Sequence, residues 1–495
     1  MHATSFYRIA PFDSPNRRLL AVGCLAALLI VGLPSQDAHA GEDEFMNRLV
    51  RPYSSQRIVC LDVGESYRFQ LRDGTTRTIR LVSAEDKRDT VIGLVRQATV
   101  RVAVDGQPLE LSCMPYTMPT EIGHLRLQAD LTSGWVEELP GRVQFSIWDA
   151  RDPIVDTNRF CFPIRQYRMF SHALQAYNEV VHAGKADGDP QGGRFYHGYG
   201  FDLAGYEGRE TVVACTDGRI VQLWPNAGDA SSVVIEGAGG VVWEAAHLDS
   251  AASGLRLGQT VRQGQPVGIL GKRGASGNFA HLHVGVFPSK AHLDAHTRTQ
   301  RLNLYPWLVT AYLQQTPQRM FAIARPHHTI RTGESVQFDA GRSIALDSKI
   351  VSYRWEFHDG EAVEGIRATK RFDQPGVYIA TLRIEDDGGR ESIDFCKVKV
   401  FTRTAPEATM PSIFMTHTPT KGGTAPCTVT IRCWTQSETD APMQLDFGDS
   451  YYRSVYHSYA EVTHQFDTPG NHVVTAKATI DGLPVMQRQC IHLDE

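Results

Sequence analysis

Runs of alternating polar and apolar residues, closed by Gly or Asp-Gly, recur along this chain, and they leave little room for anything but packed β-sheets. SYRFQL (66–71), TRTIRLVSA (76–84), TVRVAV (99–104) and RVQFSIWDA (142–150) are of this kind. Successive side chains of a strand leave on opposite faces, so a period of two supplies one face for a core and one for solvent. Helical periodicity is read at RMFSHALQAYNEVVHA (168–183), where Phe170, Ala173, Leu174, Tyr177, Val180 and Val181 share a face and Gly184 would cap the end. It is read again at NLYPWLVTAYLQQ (303–315), with Pro306 in the first turn. The class expected is mainly β.

Residues 1–40 have the make-up of an export signal. Arg17 and Arg18 precede the apolar run Leu19–Leu33, which is short for a bilayer span, and Ala38-His39-Ala40 offers a cleavage site. The expected product is secreted or held in the periplasm or cell envelope, with no membrane span after cleavage. Removing 40 of 495 residues leaves 455, enough for about three domains. A net charge of −5 argues against nucleic acid as a partner. In an oxidising compartment the eight remaining cysteines could form disulfides. One staple is expected among Cys60, Cys113 and Cys161, and another between Cys490 and either Cys427 or Cys433; Cys215, inside an apolar strand, reads as a buried thiol.

The chemistry concentrates between residues 190 and 290. AHLHVGVF (280–287) reads as a strand, so His281 and His283 leave it on the same face, with Cα atoms about 7 Å apart. YHGYGFDLAG (196–205) supplies His197 and Asp202, and AAHLDS (245–250) supplies His247. A lone His beside a strand is usually a hydrogen-bonded core or surface residue. Four of them with a carboxylate around one β-rich segment are the parts of a hydrolytic zinc site, in which three protein ligands leave a fourth position for water. Between these pieces lie TVVACTDGRIVQLW (211–224), read as a hairpin turning at Asp217-Gly218, then the strands SVVIEG and VVWEAAHL.

This succession resembles the lysostaphin/LytM family of zinc metallopeptidases, which hydrolyse peptide bonds of peptidoglycan. The resemblance implies Zn2+ held by His197, Asp202 and His283, with His281 and His247 as the catalytic pair. It also implies peptidoglycan peptides, whether cross-link or stem, as the substrate. One departure is visible: the family's opening places His four residues before Asp, whereas His197 stands five before Asp202 and Gly198 occupies the usual place. A bulge in the Gly-rich loop is expected to absorb the extra residue. A zinc ion would lower the pKa of bound water toward ~7, and a neutral His281 could take the proton of that water. Three rivals stand beside this expectation. They are a non-catalytic LytM-type domain that binds peptidoglycan or activates another hydrolase, a peptidase acting on Gly-rich protein, and a lipoyl-like carrier modified on Lys272, which would have no use for the histidines.

Two repeats close the chain. SYRWEFHDG (352–360) is echoed by MQLDFGDS (443–450), and RFDQPGVY (371–378) by QFDTPGNH (465–472). They resemble polycystic-kidney-disease-type (PKD) immunoglobulin-like sandwiches, which implies Trp355 and Phe357 as core and cell-wall glycan or a surface protein as partner. Asp359, Asp386 and Asp387 read as turn residues or as calcium ligands. The division expected is 41–165 for an N-terminal β domain, 166–316 for the peptidase-like domain with flanking helices, 317–402 for the first PKD-type domain and 403–495 for a divergent second.

Overall fold

The computed structural model describes residues 56–168, 174–182, 195–198, 200–226, 228–274, 276–277, 279–294, 302–317, 319–402, 410–436 and 440–495; the segment read as an export signal lies outside them. Strands make up 54% of the described residues and helix 5%, so the fold is mainly β, as the alternation requires. No helix among the described residues is long and apolar enough to cross a membrane.

The N-terminal part is two four-stranded sheets. One runs Arg57–Leu61, Val143–Asp149, Leu125–Thr132, Thr120–Ile122, and the other Ser66–Gln70, Thr76–Arg88, Val95–Val104, Gln107–Cys113. The middle part is a seven-stranded sheet in the order Thr260–Val261, Gly218–Trp224, Ser232–Glu236, Val242–Ala246, His281–Phe287, Phe201–Ala204, Leu174–Gln175, beside a three-stranded sheet of Thr211–Val213, Pro266–Leu270 and Leu248–Ala251. One buried core, from Ile58 to Ile323, runs through both parts. The helix Tyr305–Gln315 starts with Pro in its first turn and buries Trp307 and Tyr312 against Phe160 and Phe162.

Three sequence expectations fail here. Residues 174–175 and 180–182 are short strands, not parts of one helix. Residues 211–213 and 218–224 fall in different sheets, so Asp217-Gly218 turns the chain between layers and closes no hairpin. Cys113, Cys161, Cys427, Cys433 and Cys490 are free thiols. Cys433 and Cys490 could not meet, because the first packs into the core around Ile431 and Val462 and the second among Ile379, Ile393 and Phe395. Cys215 is buried as expected.

The two C-terminal repeats have separate cores but share a sheet. Gly376–Asp386 of the first lies parallel to Leu483–Leu493 of the second, with Val377 opposite Val485, so a single sheet runs through both. Trp355 and Phe357 are core residues packed on Phe338. Asp386 accepts from the backbone N–H groups of Gly388 and Arg390 and pairs with the Arg390 side chain, and Asp359 pairs with Lys370.

A buried polar node joins the three parts. Arg325 is 3% exposed; its Nη1 donates to the Tyr116 hydroxyl at 2.9 Å, and its guanidinium lies 3.9 Å from both Glu179 and Asp394. The Tyr116 hydroxyl in turn donates to Glu179 and accepts from the backbone N–H of Ala176. Removing one partner of such a network leaves buried charge unanswered, so Arg325→Ala should cost about 3–5 kcal/mol in denaturant unfolding. Glu210 makes a second link, accepting from the Tyr206 N–H at 2.8 Å and from the Thr420 hydroxyl of the last repeat. Burial lifts its carboxyl from 4.5 to about 8. A carboxyl with a raised folded pKa holds its proton more tightly when folded, so its contribution is full below pH 4.5 and is lost as pH climbs to about 8. Urea midpoints should fall across that window, and Glu210→Gln should flatten the fall.

Candidate active site

The site is built on the central strand His281–Phe287. Its register places Asp202 of one neighbouring strand and Ala246 of the other directly opposite His283, and Gln175 opposite Asp202. Directly opposed residues share a face, so Gln175, Asp202, His283 and Ala246 form one row across the sheet. His281, two residues back along the strand, leaves on the same face.

His283 Nδ1 lies 2.8 Å from Asp202 Oδ1, and His281 Nε2 lies 3.7 Å from the same oxygen. Gly200 makes room for this: a Cβ there would meet His283 Cε1 at 2.7 Å and Nε2 at 2.8 Å. The His281 Nδ1–H donates to the carbonyl of Phe279 at 2.8 Å, which leaves Nε2 as an acceptor facing the carboxylate. His247 sits where the chain leaves one sheet, after Val242–Ala246, and enters the other at Leu248–Ala251. Its φ of 64° is left-handed, a conformation that residues other than glycine adopt sparingly. Its Nδ1 meets the Arg273 carbonyl at 2.8 Å, and its ring centre is 4.7 Å from that of His281 and 5.9 Å from that of His283.

Burial sets the protonation states. It lowers His281 below the usual imidazole range and, with the neighbouring His281 and His283, takes His247 down to about 3. Burial would raise Asp202, but the imidazoles around it, with the His283 hydrogen bond, outweigh that and hold it at about 2. The cluster therefore sets one carboxylate beside two imidazoles that burial keeps neutral, His281 and His247, a donor set suited to metal or to the N–H groups of a peptide.

The structure brings Asp202, His247, His281 and His283 together and places His197 in other contacts. His197 belongs to the two-stranded pairing of Val180–His182 with Phe195–His197. It is buried, with Nε2 at 2.9 Å from the Val95 carbonyl of the N-terminal part and its ring 6.3 Å from Trp135. Gly198, where the family's first ligand would stand, carries no side chain. A Cβ there would meet Gln175 Nε2 at 3.3 Å, and that same amide donates to Asp202 Oδ2 at 3.0 Å. Among the described residues no group of three or more His, Cys, Asp or Glu side chains is placed to hold a metal ion. The side chains as placed do not fit a three-ligand catalytic zinc. Gln175 is the residue that sequence reasoning missed. Reading 168–183 as a helix hid it, and only the strand pairing with Asp202 could have exposed it.

Residues 196–295 match the model of peptidase family M23, and residues 320–400 match that of the PKD domain. The collagenase ColA of Clostridium perfringens is 29% identical over 79 residues, 16% of this chain and 7% of that protein, and the collagenase ColQ1 of Bacillus cereus is 37% identical over 59 residues, 12% and 6%. The chain thus spans less than a tenth of the length of either collagenase. Among solved structures, the catalytic domain of the antimicrobial peptidase lysostaphin from Staphylococcus simulans is 24% identical, covering 27% of this chain and 90% of that one at a TM-score of 0.21. A putative glycyl-glycine endopeptidase lytM from Ruminococcus gnavus is 23% identical, covering 32% and 62% at a TM-score of 0.21. The PKD1 domain of the Vibrio cholerae metalloprotease PrtV is 28% identical, covering 17% and 91% at a TM-score of 0.13. With the sequence motifs, the two model matches establish that residues 196–295 are a domain of peptidase family M23 and that a PKD domain follows at residues 320–400.

Proposed function

We propose that the M23 domain binds peptide chains of peptidoglycan at the Asp202, His247, His281, His283 cluster without cleaving them, in an exported protein whose PKD-type repeats hold it to the cell wall. The observation that carries this is Gln175, whose amide donates to Asp202 Oδ2 and lies 3.3 Å from where a Cβ at position 198 would stand. A carboxylate held ionised and the acceptor Nε2 atoms of two neutral imidazoles together favour a ligand rich in amide N–H or ammonium groups.

Hydrolysis is the second reading, and one observation favours it. His281 and His247 lie ring to ring at 4.7 Å, both neutral, as a proton-transfer pair would be. It needs His197 to join Asp202 and His283 as zinc ligands, the set that the sequence resemblance implies.

Metal content separates the two. Full-length protein purified without chelator should carry zinc well below one per chain, and the double variant Gly198→His/Gln175→Ala should raise that occupancy. One zinc per chain in the wild type, lost on His197→Ala, would establish the second reading instead. In sedimentation with purified peptidoglycan the wild type should bind and release no new amino groups, while Asp202→Asn should weaken binding by about tenfold or more, the worth of a charge-assisted hydrogen bond. Release of amino groups that stops in His281→Ala would overturn the binding reading.

A further inference from the structure

The last repeat reaches the cluster through aromatic rings that the peptide-binding proposal does not use. In the three-stranded sheet of Ser412–Thr418, Cys427–Gln436 and Tyr459–Phe466, Phe414 stands opposite Trp434, and Trp434 opposite Tyr459. Directly opposed residues share a face, so the three form a ladder about 10 Å across, two strand spacings. Their neighbours Ile413, Met415, Ile431 and Cys433 are buried on the inner face, which fixes the ladder on the outer one. Phe414 and Trp434 stack at 5.5 Å and 18°. Phe279 of the M23 domain lies against both, at 5.4 and 6.2 Å, and stacks on His281 at 5.7 Å and 24°. An unbroken line of rings therefore leads from His281 onto the last repeat. Its far end is open: Trp434 is half-buried, Tyr459 is 54% exposed and the nearby Tyr456 is 77% exposed.

On the same outer face Arg432 pairs with Glu461 at 3.1 Å and lies over the Tyr206 ring of the M23 domain at 4.3 Å, while the Tyr206 hydroxyl donates to Glu461 at 2.5 Å. The surface is thus a strip of aromatic rings, open toward Tyr459 and edged by hydrogen-bonding groups. A sugar ring matches such a strip, with C–H faces to lay on the rings and hydroxyls at its rim.

We propose that Phe414, Trp434 and Tyr459 form a saccharide subsite that holds the sugar backbone of a glycopeptide polymer while its peptide reaches His281. This rests on the peptide-binding proposal for the placement of the peptide but not for the sugar contact, and the two can fail separately. The probe for the sugar is the hexamer of β-linked N-acetylglucosamine, titrated calorimetrically into the full chain; the probe for the cluster is a free stem tetrapeptide. Tyr459→Ser, at an exposed position, should weaken hexamer binding by about tenfold, the order found for a base stacked on one aromatic ring, and leave the tetrapeptide affinity unchanged; Trp434→Ala should weaken hexamer binding likewise. Asp202→Asn should do the reverse. Hexamer binding that is absent, or is unchanged in Tyr459→Ser and Trp434→Ala, would overturn the subsite. Loss of tetrapeptide affinity in Tyr459→Ser would make the ladder a peptide surface and overturn it equally. Failure of the tetrapeptide alone, with the hexamer still bound through Trp434, would sink the peptide-binding proposal and leave the sugar subsite standing.

Discussion

The buried guanidinium of Arg325 is the contact on which the site depends. Arg325 enters from the first repeat, Tyr116 from the N-terminal sheets, and Glu179 from the segment just ahead of the M23 match. The hydroxyl that Arg325 bonds also receives the N–H of Ala176, the residue after Gln175. The carbonyl of Glu179 receives the N–H of Gly198. One charge, sunk where water cannot reach it, therefore fixes both sides of the carboxylate row: the strand that presents Gln175 and the loop that withholds a ligand at position 198. A buried charge tolerates few arrangements of its partners, so it specifies position more than it adds stability.

The remainder follows from strand pairing. A central strand can present alternate residues to a row of neighbours at fixed spacing, which is why His281 and His283 meet Asp202 without help from any flexible loop. His247 is brought in differently, by a left-handed kink where the chain changes sheets. Two geometries, one regular and one strained, thus converge on the same carboxylate. The aromatic contacts of Phe279 then attach the whole arrangement to the last repeat, so a module that looks like a spacer in the sequence stands beside the chemistry.

Much of this was legible in the residues. Period-two alternation gave the β class, and the HLH pair gave a strand with two imidazoles on one face. The spacing of Asp202 and His247 around it gave four of the five residues named for the site, and these four do converge. The rest was not legible for physical reasons. An apolar run with i, i+3, i+4 coincidences reads as a helix, but tertiary pairing with Phe201–Ala204 drew residues 174–175 into the sheet, and Gln175 came with them. The bulge expected to bring His197 inward competes with a carbonyl of a sequence-distant strand, Val95, which no local pattern announces. The pairing of thiols depended on which core each faced, and the two strands carrying Cys433 and Cys490 turn them into different ones.

The parallel pairing of Val377 with Val485 has a consequence for how the chain can be divided. Two repeats joined by a linker could be lost or gained singly, each keeping its own closed surface. Here the last strand of the second repeat meets a long strand of the first at Val377 and Val485, so cutting between them would expose backbone groups on each piece at that point. Such an edge is a template for pairing with another chain. The two repeats, each with its own core, are therefore fastened at a shared sheet and not only by the linker between them.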